Sequence, residues 1–314
     1  MRFYDLTVTN PDSGNTLLHY TSYPNGQYDP GALNIEYDLF VAPEDYSLGN
    51  STITISGVPA SVLTNAKKYT NQQITLKAGM GKGLPLVTPS QSGLILQGQI
   101  YQSFGNWVGT QIDLNLVIFG SAYTLKNPGN IVLNWTAGQT LASAIQTTLQ
   151  TAYPQSTIKI NIADVVLGYD VVHFCSTLTQ LGQFLVTLTS NQVRVTVFGT
   201  IITVLDNTYK PTAKQLSFTD FVGQPMWIAP NMIQMWCVTR ADIQVGDIIE
   251  MPQKFGNNPG FVQTTANSLP SLNNYTTAMQ GQFVVQAIRQ LGNLRDPQGT
   301  SWCTVINALP LVAS

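Results

Sequence analysis

The strongest constraint on this chain is period-two alternation, and it is clearest towards the C-terminal end. Residues 282–307, QFVVQAIRQLGNLRDPQGTSWCTVIN, read as strand, polar loop and strand, with Trp302 opening the return strand. Upstream, residues 237–252, CVTRADIQVGDIIEMP, set a polar turn and the pair Gly246-Asp247 directly before a short apolar strand. Successive strand side chains point to opposite faces, so such runs bury one face and wet the other. Together the two stretches are expected to close a small β-barrel, with Gly246, Asp247 and Trp302 as its structural turn motif.

The same alternation fills residues 1–125, where strands are expected at Phe3–Thr9, Asn34–Val41, Ser51–Ser56, Gln73–Ala78, Gly93–Phe104 and Gln111–Phe119. Val, Ile, Thr and aromatics recur there at period two between clusters of Gly, Pro and Asn. A short helix is expected near 59–68, with Pro59 in its first turn and Val62, Leu63 and Ala66 on one face.

Residues 126–210 change period. A strand at Asn130–Trp135 precedes an amphipathic helix carrying Leu141, Ala144, Ile145, Thr148 and Leu149 on one side. TIKINI (157–162) is a further strand, and a second helix runs from Thr177 to Leu188, with Thr177 and Gln180 placed for a capping box. Residues 193–206 read as a hairpin, which completes a small α/β module. Residues 211–314 return to strands, near 216–224, 232–238, 247–251, 282–291 and 301–306, with a long polar loop at 255–277. No fixed-period repeat appears. What recurs is the order barrel, α/β module, barrel.

Composition narrows the function. Charged residues make up only 10% of the 314, against a typical ~25%. Asn, Gln, Thr and Ser replace them, so the surface is neutral and polar, suited either to a β-rich monomer or to burial against neighbours. Fourteen basic and 16 acidic residues give a net charge of −2 with no basic stripe. Phosphate contacts need clustered Lys and Arg, and the only adjacent basic pair, Lys67-Lys68, reads as a solvated helix end. Cys175, Cys237 and Cys303 are far apart, which points to reduced, buried thiols and a cytosolic folding compartment. MRFYDLTVTN is not a signal peptide, and no apolar run approaches the ~20 residues of a membrane span.

Candidate chemistry is sparse. His173 and Cys175 would share one strand face, but no third orienting group or oxyanion loop accompanies them. Carboxylates pair as Glu36 with Asp38, read as an exposed strand face, and as Glu44 with Asp45. The run Ala78–Gly83 lacks phosphate-loop spacing and reads as a hairpin loop. No short-spaced His, Cys or acidic cluster suggests a metal. Trp107 is the one tryptophan that a loop, Gly105–Gly109, could present to a sugar.

Three stretches carry a family resemblance. They are QQITLKAGMGKGLPL with SGLILQGQIYQSFGNWVGTQIDLNLVI; WTAGQTLASAIQTTL with STLTQLGQFLVTL; and FTDFVGQP, CVTRADIQVGDIIEMP and FVVQAIRQLGNLRDPQGTSWCTVIN. In order and spacing the chain resembles the baseplate hub proteins of contractile-tailed phages, whose barrels also resemble those of type VI secretion spikes. The resemblance implies a mainly β fold with a small α/β insert, in which two β-barrel domains of tail-tube/hub type (1–125 and 211–314) flank an α/β module (126–210). It implies a homotrimer of six similar barrels, joining a threefold central spike to a sixfold tail tube around a channel for DNA. The partners would be the spike, a tail-tube or tube-initiator protein and the tape-measure protein. The place would be the virion, in a baseplate assembled in the host cytoplasm. No enzymatic activity, cofactor, metal, specific nucleic-acid binding or membrane anchor is expected. The alternatives are a tail-associated peptidoglycan hydrolase, a carbohydrate-binding tail adhesin and a tail-tube subunit.

Overall fold

The computed structural model describes residues 1–41, 51–81, 91–119, 130–189, 193–252 and 281–311. Alternation turns into burial strand by strand. In the first third the strands are β1 (Arg2–Thr9), β2 (Thr16–Thr21), β3 (Asn34–Val41), β4 (Ser51–Ser56), β5 (Gln73–Met80), β6 (Gly93–Val108) and β7 (Gln111–Phe119). Tyr4, Leu6 and Val8 of β1, Ile35, Tyr37 and Leu39 of β3, and Leu114, Leu116 and Ile118 of β7 all point into one core. A one-residue slip of β1 would turn its three buried side chains to water, at a cost on the order of 5 kcal/mol. The short helix α1 (Ala60–Thr64) follows Pro59, and Leu63 lies against Gly105 of β6.

The middle third has its own core and its own sheets. Strands β8 (Ile131–Trp135) and β10 (Val171–Cys175) pair antiparallel. Strand β9 (Thr157–Asn161) runs parallel to β12 (Ile201–Leu205), which forms a hairpin with β11 (Arg194–Phe198). Helices α2 (Leu141–Ala152) and α3 (Leu178–Thr189) cover them. The buried face of α2 is Leu141, Ala144, Ile145, Thr148 and Leu149, and Thr140 caps it by accepting from the Ser143 N–H. Thr177 Oγ1 likewise accepts from the Gln180 N–H at 3.2 Å, but Gln180 Oε1 accepts from Ser176. The expected capping box is therefore displaced by one residue on its return side.

The last third holds β13 (Lys214–Gln215), β14 (Met226–Ala229), β15 (Met232–Val238), β16 (Ile248–Glu250), β17 (Gln282–Asn293) and β18 (Trp302–Pro310). Its core gathers Trp227, Ile233, Met235, Ile249, Phe283, Val285 and Ile306.

The protein is thus mainly β with a small α/β insert, and its two outer β regions are joined through their backbones. The described strands of both outer thirds form one continuous thirteen-stranded sheet. Its main path runs β14-β15-β18-β17-β3-β4-β7-β6-β5-β1-β2. The link is antiparallel pairing of β17 with β3, from Ile288 opposite Val41 to Asn293 opposite Glu36. Each half curls around a core of its own, while the backbone ladder passes from one half to the other.

Three local expectations change. The 10–32 segment, where no strand is expected, contains β2, paired with β1. No strand spans 216–224; Phe218–Asp220 is a 3-10 turn held by a Ser217–Asp220 capping box, and the strand comes later, at Met226–Ala229. Residues 105–108 are not a loop but the end of β6, and the turn falls at Gly109-Thr110.

Candidate functional site: the junction of the two β halves

The features most unlike an ordinary packed core lie where the last third meets the first. The β17–β18 hairpin end is clasped by the N-terminal strand. The Arg2 guanidinium donates to the carbonyls of Asn293 (2.5 Å), Asp296 and Gln298 (2.7 Å) and to Ser301 Oγ (3.0 Å). Arg295 of the hairpin donates back to the Ala32 carbonyl at 2.7 Å.

Trp302 opens β18 and leaves its own half. It is 3% exposed and belongs to the first core. Its Nε1–H donates to the Gly79 carbonyl at 2.9 Å, Tyr37 meets it edge-on at 5.2 Å between centroids, and Arg2 lies over its ring. Across the ladder, Gly292 lies so close to Tyr37 that a Cβ there would overlap the ring.

Gly246 and Asp247 sit at the other side of β17. Gly246 has φ of 90°, open to glycine and strained for other residues. The Asp247 N–H donates to the Gln244 carbonyl at 3.1 Å, which closes the turn. The Asp247 carboxylate accepts from the Gln244 N–H at 2.7 Å and from Lys214 Nζ at 2.6 Å. Gly246 and Asp247 then exchange backbone bonds of 2.9 Å with Val285.

Beneath the junction lies a buried polar network. Arg240, 6% exposed, donates twice to Asp242 (2.7 and 2.8 Å) and once to Asp220 (3.2 Å). Gln91 of the first half donates to the other Asp220 oxygen at 2.5 Å. Gln290 of β17 donates to the Arg240 carbonyl, and Thr304 of β18 donates to Gln290 Oε1 at 2.7 Å. Burial alone would raise the Asp242 carboxyl, but the hydrogen bonds and charge of Arg240 outweigh it and hold the pKa low. Burial pushes the neighbouring Cys237 and Cys303 thiols up to about 12, which leaves both protonated and unreactive at neutral pH.

The face of the bridging sheet turned away from the cores carries polar cross-strand links among apolar side chains such as Phe40 and Trp236. Gln234 bonds Asn307 (3.1 Å), Asn293 bonds Glu36 (3.3 Å) and Thr54 bonds Asn115 (3.0 Å). Arg289 is the one cation among the described outward side chains of β15, β18, β17, β3, β4 and β7, and Asp38 holds it by two hydrogen bonds of 2.7 and 2.5 Å. Glu36 and Asp113 add carboxylates, so the face is neutral to weakly acidic.

The other candidates do not assemble into chemistry. The His173 ring stacks on Phe184 at 3.7 Å, and Cys175 lies in the module's core. Glu36 and Asp38 are occupied by Asn293 and Arg289. Trp107 is 66% exposed, with its Nε1–H given to the Gly109 carbonyl. Lys67 and Lys68 are exposed on a 3-10 turn. Glu44, Asp45, Lys82, Gly83 and the 255–277 segment lie outside the described residues. Among the described residues no group of three or more His, Cys, Asp and Glu is placed to hold a metal, and no helix is long and apolar enough to cross a membrane.

No family model matches the chain, and no curated protein matches it. Solved structures do. The 43 kDa tail protein of prophage MuSo2 from Shewanella oneidensis superposes with a TM-score of 0.52 at 7% identity, over 99% of this chain and 97% of that one. A tail protein from Neisseria meningitidis MC58 superposes with a TM-score of 0.50 at 8% identity, over 98% and 96%. The fold is that of a phage tail protein. Because the superpositions span nearly the whole of both chains, the tail-protein fold takes in the α/β insert as well as both β halves.

Proposed function

We propose that this chain is the hub subunit of a phage tail baseplate. Residues 1–125 and 211–314 act as two barrels around the 126–210 module, and three copies make a ring of six barrels. The ring joins a threefold central spike to a sixfold tail tube, with the tape-measure protein as a further contact, and leaves a channel for DNA. The role is structural; no bond is made or broken by the chain.

The observation that carries this reading is the β17–β3 ladder, which turns two curled halves into one sheet with one outward face poor in positive charge. A channel for a polyanion works only if its wall does not grip phosphate, because each Lys or Arg contact adds salt-dependent affinity. The outward face meets that requirement: its one described cation is neutralised by Asp38, and its other groups are uncharged or acidic, amides, hydroxyls and carboxylates interspersed with apolar side chains such as Phe40 and Trp236. A hydrolase would need carboxylates free to act across a cleft, and Glu36 and Asp38 are engaged in cross-strand bonds.

Sedimentation and electron microscopy of the purified chain test the proposal. The expected particle has the mass of three copies and a six-lobed outline around a central hole. A chain that stays monomeric, alone and mixed with the spike and tube proteins of its own particle, would sink it.

A further inference from the structure

The two β halves repeat one strand plan, and the repeat has one join inside the chain and room for another. The first half runs β3-β4-β7-β6-β5 in its sheet; the second runs β14-β15-β18-β17, with β16 beside β17. Matching these in order pairs β3 with β14, β4 with β15, β7 with β18, β6 with β17 and β5 with β16. The registers agree. The bulge in β17 falls between Val285 and Ala287, and the bulge in β6 between Ile100 and Gln102. Before its bulge β17 pairs with β16, and β6 pairs with β5.

After the bulge the halves differ. From Ile288 onward β17 pairs with β3. The matching stretch of β6, Gln102–Val108, pairs only with β7 among the described residues. The counterpart of β3, strand β14, likewise pairs only with β15 among the described residues. Among the described residues the chain therefore leaves open one edge of each kind that it joins internally.

We propose that the free edge of β6 binds β14 of a second copy, repeating between chains the antiparallel β17–β3 join made within one. Carrying the internal register across sets Ser103 opposite Ala229, Phe104 opposite Ile228, Gly105 opposite Trp227 and Asn106 opposite Met226 of the next copy. This rests on the hub reading above and names the surface by which its copies meet. It is a head-to-tail interface, which yields a ring when the rotation closes.

Side chains at the open edge fit a contact with another copy. Inside the chain the join carries the ion pair Arg289–Asp38. At the matching places the open edges carry Phe104 and Met226, an apolar pair in place of the charged one. Exposed apolar side chains gather on that part of β6: Tyr101 47%, Phe104 40%, Trp107 66% and Val108 77%. The β6 stretch Gln102–Val108 carries no Lys, Pro or charge, and an edge of that kind invites pairing with another chain; loss of charge in favour of aromatics is what the buried centre of an interface requires.

Cysteine trapping tests the register. The native thiols are buried, so new surface cysteines can be read alone. The full chain carrying both Asn106→Cys and Met226→Cys is oxidised at the highest concentration it tolerates and run without reductant. The expected result is a ladder of linked dimer and closed trimer, reversed by reductant and absent from each single variant. A second arm reads mass: Phe104→Asp is expected to lower the assembled fraction at least tenfold, and added Ile228→Lys to restore it. A six-lobed trimer that neither cross-links nor responds to Phe104→Asp overturns the edge pairing and leaves the hub reading standing. A chain that neither cross-links nor assembles, even with its spike and tube proteins, overturns both.

Discussion

Arg240 shows how one residue ties elements that lie far apart in sequence. Its guanidinium is held by Asp242 and Asp220, its backbone N–H donates to Thr304 Oγ1, and its carbonyl receives Gln290. Removing one partner of a buried ion network leaves an uncompensated charge, which costs roughly 3–5 kcal/mol. Arg240→Ala is accordingly expected to lower stability by about that amount in denaturant titration at neutral pH. The penalty depends on pH through Asp242, whose folded pKa is depressed below the ordinary carboxylate value. Its contribution is present above the unfolded pKa of ~3.9 and is lost as pH falls through the lower folded value. The gap between wild type and Arg240→Ala should narrow over that acidic window; a gap constant from neutral to strongly acidic pH would contradict the assignment.

At the scale of elements, β17 is the strand on which the architecture turns. Its first residues pair with β16, its last with β3, and its other edge with β18 throughout. The bulge after Val285 sits at the changeover, where an extra residue bends the strand and sharpens its twist. The turn at Gly246-Asp247 fixes the near end by its backbone exchange with Val285. A side chain at Gly246 would be strained at φ of 90° and would place Cβ 2.7 Å from Leu205 Cδ2 of β12. Gly246→Val should cost roughly 2–4 kcal/mol, combining left-handed strain with overpacking. A variant with wild-type denaturant midpoint would refute that account. Element by element, much of this was legible. The buried face of α2 follows its spacing, and Trp302 begins β18 because a period-two run resumes there. Strand β2 is not legible in the sequence because TLLHYT buries only Leu18, as a strand at the end of a sheet does. The strand expected at 216–224 lost to local chemistry, since Ser217 and Asp220 satisfy each other's backbone N–H groups in a turn.

For the whole molecule, the division of cores predicts how it melts. The first and last thirds share a backbone ladder, and Trp302 of the last third is part of the first core. The module's core contains only residues of the middle third. Cooperative units follow shared burial and hydrogen bonding. Calorimetry should therefore resolve two transitions, one for the module and one for the fused sheet, with Arg240→Ala shifting only the second. Three transitions, with the two β halves melting apart, would mean that the ladder does not couple them.

Local rules acting over a few residues were enough for the strand periods, the two amphipathic helices, the Gly246-Asp247 turn and the absence of a dense basic stripe. They work because alternation, capping and positive φ are decided by nearest neighbours along the chain. Tertiary structure alone decided that β17 pairs with β3 and that Trp302 is buried in the other half. It also decided that Arg2 clasps a hairpin almost 300 residues away. A strand's sequence specifies which face is buried, but its hydrogen-bonding edges carry the same backbone groups whatever the side chains, so the partner is chosen by the packing of the whole sheet.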